Sequence, residues 1–246
     1  MKYNFRVYIP FAENIPLLNE CIDSLIPQLQ EFSEWGELND TWMGSKKIVV
    51  INNSPDNSIS HLLHHTEAVD VWRLPFVLSH ADEGNWMIAD ALNSGQPFCM
   101  TIHTDASLLP GAMEWLLKKY EDVKDSKWSV LMSPHGGHIF CAYNVEFFKQ
   151  EQVWFDPFLF PFYFMDNHMG RIMMLRGWKE YLADNPTRLV NHKSSHFLKE
   201  NPIFCQKNNI AFKHHGAIYS EIWQGPPGHE RSADIYANGT LPKKDA

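Results

Sequence analysis

The 246-residue chain has no run of basic residues longer than two, and it carries 21 Lys and Arg against 29 Asp and Glu, a formal net charge of −8. Generic binding to nucleic acid or anionic lipid depends on a positive footprint, so only a local basic patch remains open to it. Cysteine is sparse as well. Cys21, Cys99, Cys141 and Cys205 form no C-x-x-C and no metal-finger spacing, and three of them lie in apolar segments, as reduced thiols of a cytoplasmic protein do. No apolar run approaches the roughly 18 residues of a membrane span, and the N-terminal "MKYNFRVYIP" is too polar for a signal peptide. A cytoplasmic protein, or one peripheral at a membrane, is expected.

Apolar residues are abundant: 44% are hydrophobic and 13% aromatic, which suits a folded chain that buries a substantial core. Most of the nine Trp and sixteen Phe are therefore read as core, with some left to line a cleft.

Strand and helix patterns alternate through the first half. "FRVYI" (5–9) reads as a strand stopped by Pro10. It is followed by a helix with Ile15, Leu18, Ile22, Leu25, Ile26 and Leu29 on one face and Asn14 as its N-cap. "KIVVI" (47–51) is continuously apolar, as a strand covered on both faces is. The turn-rich "NNSPDNS", a short helix to about Thr66 and a strand over 69–74 come next. "NWMIADALNSG" reads as a helix capped by Asn85 and stopped by Gly95, and a helix starting near Pro110 follows the strand 98–102. This alternation predicts an α/β fold with a mostly parallel central sheet flanked by helices, whose ligands bind beyond the carboxyl ends of the strands.

From about Lys127 the pattern changes to "WSVLM", "HIFCAY", a short helix, the aromatic loop "VWFDPFLFPFYF" and a helix opening at Asp166. A mixed, smaller second half on the same sheet is expected. That gives one domain over 1–232, in two halves at 1–125 and 126–232, and a polar tail at 233–246. The last forty or so residues are rich in Gly, Pro and polar groups, "WQGPPGHE" (223–230) reads as a mobile loop, and no internal repeat or low-complexity tract is present.

The apolar strand 98–102 ends abruptly on His103-Thr104-Asp105. Residues i and i+2 of a strand share a side, so His103 and Asp105 would face whatever lies at its end, a place to hold a metal or a polar ligand. The plainer alternative is a polar turn in which Asp105 caps the next segment.

Several stretches resemble, in order, the family 2 glycosyltransferases of GT-A fold. "RVYIPFAENIPLLNECIDSL" resembles their first strand, Pro-containing loop and helix. "VVINNSPDNS" stands at the second strand, and "EGNWMIADALNSG" at the helix before the metal strand. "TIHTDASLLPGAMEWLL" is similar to the DxD segment, and "WFDPFLFPFYFMDNHMGRIMMLRGW" to the segment with FDE, ED, R and G. "LVNHKSSH" is similar to the late histidine motif, and "YSEIWQGPPGHE" to a Tyr, Lys-Trp-Gly-Gly, Gly-x-Glu ending. The likeness spans roughly residues 5–230. It departs where the first DxD aspartate is His103, where the ED glutamate is Met165, and where the late KWGG reads Ile222-Trp223-Gln224-Gly225.

The resemblance implies a metal-dependent, inverting glycosyltransferase that moves a sugar from a nucleotide-diphosphate donor to a hydroxyl. Asp105 would be the main ligand of Mn²⁺ or Mg²⁺, with His103 and His192 joining it. Imidazole ligation favours Mn²⁺. His196 rivals His192. Asp166 would be the general base, its alternative being a simple N-cap. Pro10, Ala12, Glu13 and Asn53 would recognise the nucleotide, with Asn85 and Thr104 supporting the donor and Trp223 closing over it. Arg171 and Arg176 would approach phosphate or form a solvated helix face. The acceptor is left open between a glycan, a lipid-linked sugar, a small metabolite and a hydroxylated nucleobase such as phage DNA carries. Two other readings remain. A non-catalytic nucleotide-sugar or glycan-binding module could keep the fold. A nucleotidyltransferase is disfavoured, because "PFAENIP" lacks the Gly-rich basic loop.

Overall fold

A computed structural model describes residues 3–32, 41–56, 59–132, 138–183, 189–193 and 202–230. His196 and the tail 233–246 lie outside them.

Strands β1 (Val7–Phe11), β2 (Ile48–Asn52), β3 (Val69–Trp72), β4 (Cys99–Ile102), β6 (Trp128–Met132), β7 (Phe140–Tyr143) and β8 (Lys179–Leu182) form a seven-stranded sheet in the order β3-β2-β1-β4-β7-β6-β8. β7 alone runs antiparallel to its two neighbours, so the expected mostly parallel sheet with a mixed second half is present. Two short strands, β5 (Ala106–Leu108) and β9 (Val190–His192), pair antiparallel in a separate sheet.

The continuous apolar runs are explained by cover on both faces. Phe5, Val7, Ile9, Ile48 and Val50 pack on α1 (Ile15–Phe32) and α3 (Ala112–Val123). Tyr8, Val49 and Ile51 face the opposite core. That core is built with α2 (His80–Asn93), α4 (Val145–Glu151), α5 (Met165–Leu175) and α6 (Pro202–Trp223). In this second layer a fully buried ion pair, Arg6 Nη1 to Asp90 Oδ2 at 2.8 Å, ties β1 to α2; Tyr8 Oη donates to the same oxygen at 2.7 Å.

Four expectations are corrected. Pro10 does not stop β1 but lies within it, opposite Ile51. It is tolerated there because β1 pairs with β4 only through Val7 and Tyr8, so its missing N–H breaks no ladder. The helix read as starting at Asn85 starts at His80. Ser79 accepts from Asp82 N at 3.1 Å while Asp82 Oδ2 accepts from Ser79 N at 3.3 Å, a capping box that is the stronger start signal. The short helix before Thr66 is a single 3₁₀ turn, Ile59–Leu62. Finally, part of the segment read as a Gly- and Pro-rich tail region is the 22-residue α6. Among its described side chains the deeply buried ones are His215, Tyr219 and Trp223, toward its end, while Ile203, Ile210 and Phe212 are exposed, so no amphipathic stripe runs its full length to reveal a helix.

Candidate active site

The chain leaves β1 for β2 and β3 on one side and returns to β4 on the other, so β1 and β4 flank the switch point where an open α/β sheet leaves a crevice. Ala12 and Glu13 are exposed at the carboxyl end of β1. Asn14 follows in the left-handed region, φ 79°, where asparagine is among the better-tolerated residues, and its Oδ1 caps α1 by accepting from Leu17 N at 3.1 Å. Across the crevice Thr104 Oγ1 donates to Pro10 O, bracing the β1 end against the turn after β4.

His103 and Asp105 do meet, though not by strand alternation. β4 ends at Ile102, and Ala106 N donates to His103 O at 3.1 Å, closing a tight turn over 103–106. The third member comes from far along the chain. β9 pairs with β5 so that His192 stands opposite Ala106, and Lys193 N donates to Asp105 O at 2.8 Å. The ligand atoms of His103, Asp105 and His192 all lie within 4.8 Å of one another, and the two imidazole centroids are 6.1 Å apart.

The electrostatics suit a cation. His103 reaches solvent at its surface but is set deep in protein mass. That desolvation pushes its pKa down to about 4, leaving a neutral ring with a lone pair at pH 7. Burial pulls the Asp105 carboxyl upward, but the adjacent His192 and His103 rings outweigh this and hold it below its usual range. His192 Nε2 is buried 3.3 Å from Asp105 Oδ1, yet it has no hydrogen-bond partner among the described residues. An orphaned ring nitrogen beside a carboxylate and a neutral imidazole fits a divalent cation, and two imidazoles with one carboxylate suit Mn²⁺ better than Mg²⁺.

Asp166 lies in the first turn of α5 rather than at its cap. The cap position is Phe164, in the left-handed region at φ 63°, with no side-chain cap. Phe164 is held there by Phe212 and Tyr219 of α6, at centroid distances of 5.0 and 5.6 Å. The Asp166 carboxylate accepts from Asn167 N at 2.9 Å, and its charge is a small counterweight to the burial that lowers the His103 pKa, so it lies within electrostatic reach of the turn after β4.

The remaining candidates are spent elsewhere. Asn53 uses both ends of its amide on its own scaffold. Its Oδ1 accepts from Leu78 N at 3.0 Å, and its Nδ2 donates to Leu78 O at 3.1 Å and to Glu83 Oε1. Asn85 clasps the backbone of Phe155, accepting from its N and donating to its O at 2.9 Å each. Trp223, expected to close over a donor, is fully buried at the end of α6 and donates to His168 Nδ1 at 3.1 Å, because the helix needs an anchor in the second core. The loop after it is tethered by Glu230, which accepts from Tyr219 Oη at 2.6 Å and Gly228 N at 3.0 Å. Arg176 pairs with Glu151 at 3.0 Å, and Arg171 lies over the Trp223 ring at 5.9 Å.

One pair escaped the sequence reading. His80 Nδ1 lies 2.6 Å from Glu83 Oε2 in the first turn of α2, a contact that an H-x-x-E spacing behind the Ser79 cap signals.

No protein-family model matches the sequence, and no curated protein matches it. Solved structures do. A mannosyltransferase from Pyrobaculum calidifontis, in complex with GDP-Man and Mn²⁺, superposes with a TM-score of 0.61 over 98% of this chain and 71% of its own, at 13% identity. TarS 1–349 of S. aureus superposes at 0.51 over 80% of this chain, at 11% identity, and the same fragment with UDP at 0.52 over 76%. The chain spans 62% of TarS 1–349. Among the described residues no helix is long and apolar enough to cross a membrane. The order of the seven-stranded sheet, the antiparallel run of β7 within it and these superpositions together identify the chain's fold as the GT-A fold of glycosyltransferases.

Proposed function

We propose that this protein is a metal-dependent, inverting glycosyltransferase that moves a sugar from a nucleoside-diphosphate donor to a hydroxyl acceptor. The observation that carries the reading is the convergence of His103, Asp105 and His192 at the β1/β4 switch point, within electrostatic reach of the Asp166 carboxylate. The likeness to enzymes solved with GDP-Man and Mn²⁺ and with UDP supports a donor of that class.

In this reading Asp105, His103 and His192 hold the divalent ion, Mn²⁺ before Mg²⁺. When bound, the ion supplies positive charge against the oxygens of the leaving diphosphate. Thr104 keeps the ligand turn in register with the β1 end through Pro10 O, and the exposed Ala12 and Glu13 border the nucleotide. Asp166 accepts the proton of the acceptor hydroxyl as that oxygen attacks the anomeric carbon. The new carbon–oxygen bond forms on the face opposite the breaking bond, and the nucleoside diphosphate leaves with that bond's electron pair. Asn53 braces Glu83 at the end of β2, while Asn85 and Trp223 hold the scaffold through Phe155 and His168. The acceptor is a glycan, a lipid-linked sugar or a hydroxylated nucleobase, and the protein works in the cytoplasm or at a membrane surface.

The test is a calorimetric titration of UDP, GDP, CDP and dTDP, with and without Mn²⁺, into wild type and Asp105→Ala. Metal-dependent binding of one nucleotide that disappears in the variant is expected. Absence of binding to all four overturns the donor assignment. Binding without transfer to any acceptor favours a non-catalytic module on the same fold.

A further inference from the structure

Glu83 is 2% exposed, and both of its oxygens are used: Oε1 accepts from Asn53 Nδ2, and Oε2 faces His80 Nδ1 at 2.6 Å. Asn53 is itself locked to Leu78 at the carboxyl end of β2, so a rigid relay runs from the sheet through Asn53 and Glu83 to His80. The start of α2 is also fastened to the loop before α5, where Ala81 N donates to Pro161 O at 3.2 Å and the Phe162 ring meets the His80 ring at 5.9 Å. The His80 side chain nevertheless remains 55% exposed.

A carboxylate on Nδ1 makes that nitrogen a donor and turns Nε2 away from Glu83, and Nε2 carries a proton as well once the ring is an imidazolium. We propose that His80, oriented by Glu83, contacts the anionic ligand of this cleft as an imidazolium, its Nε2–H donating to a phosphoryl oxygen of the nucleoside diphosphate. The inference rests on the donor reading above. It answers a charge problem in that reading: Asp105 and Asp166 are both carboxylates, while among the described residues Lys193 is paired with Glu20 at 2.6 Å and Arg176 with Glu151. The groups acting on His80 agree. Burial disfavours its imidazolium, but the Glu83 hydrogen bond and charge, with Asp166 from α5, outweigh burial and raise its pKa; His103, across the cleft, feels the His80 charge in turn.

The experiment titrates inorganic pyrophosphate, UDP and GDP, each with Mn²⁺, into folded wild type, His80→Gln, Glu83→Gln and Asp105→Ala. His80→Gln changes an exposed side chain and is expected to weaken pyrophosphate and nucleotide about tenfold, the loss of one charge-assisted hydrogen bond. Glu83→Gln, a positioning change, is expected to move to lower pH the point above which pyrophosphate affinity falls, because burial is then opposed on His80 by the Asp166 charge alone. If nucleotide binding needs Asp105 yet His80→Gln leaves every affinity within about twofold, this inference fails and the donor reading stands. If pyrophosphate binds through His80 but no nucleotide binds, the donor reading fails, while the contact of His80 with a phosphoryl oxygen stands. Binding of none of the three ligands to wild type overturns both.

Discussion

His192 Nε2 stands 3.3 Å from Asp105 Oδ1 because β9 pairs with β5, and no local property of either segment brings the two together. If they share an ion with His103, loss of either should cost more than the roughly 10- to 100-fold in metal affinity that removing an outer partner alone costs. Mn²⁺ titration monitored by electron paramagnetic resonance, on Asp105→Asn and His192→Ala, checks this. Unchanged Mn²⁺ affinity in both variants would remove the metal from the site.

Asp166→Asn keeps the size and the helix position of the side chain while removing its basicity. Transfer should fall by about 10²- to 10⁴-fold, the range for a general base, with donor affinity near that of wild type. A loss confined to donor affinity, with turnover intact at saturation, would assign Asp166 to binding instead.

Burial in the second core pushes the His168 pKa down to about 4, and the ring accepts from Trp223 Nε1. The unfolded chain takes up this proton near pH 6.5, the folded chain only near 4. Stability is therefore fully present above pH 6.5 and declines as pH falls toward 4, by up to about 3 kcal/mol from this residue. Urea melts from pH 7 to pH 4.5 should show a shallower decline in His168→Gln, which retains an acceptor for Trp223.

Asp90→Ala leaves the Arg6 guanidinium buried without its carboxylate and removes the acceptor of Tyr8 Oη. Breaking one side of a buried pair costs about 3–5 kcal/mol, and chemical denaturation should register a loss of that size. A change below 1 kcal/mol, on the same order as a surface pair, would mean that the network contributes little.

Gly84 lies inside α2, where alanine is the better helix former by about 1 kcal/mol. A Cβ there would sit 2.7 Å from the Phe155 ring, and Phe155 cannot easily retreat because Asn85 clasps its backbone. Overpacking of this kind costs about 1–3 kcal/mol, so Gly84→Ala should destabilise despite its propensity, as its thermal midpoint will report.

The layered sheet was legible because its signals are local. Apolar runs at 48–51 and 99–102 mark strands covered on both faces, and the periodic face of α1 marks a helix that packs on them. The break at His103-Thr104-Asp105 was likewise visible, though a tight turn and not strand alternation puts the two side chains together. Less was legible where competing signals overlapped. Asn85 looked like a helix start, yet the Ser79–Asp82 box two turns earlier took that role and left Asn85 free to hold Phe155. α6 was missed because most of its surface faces solvent, so no stripe announces it.

Hydrophobic spacing, capping residues and turn residues act over a few positions, and so they specify strands, helices and the sharp turn after β4 in the chain alone. Which distant segment completes a site depends on how the whole sheet pairs and on what its faces must bury. The β5–β9 pairing delivers His192 to Asp105. Burial takes Trp223 out of the cleft and into the core beside His168. The Asn53–Glu83 contact ties the start of α2, with His80, to the carboxyl end of β2. Each of these follows from contacts between residues too far apart for any local pattern to couple.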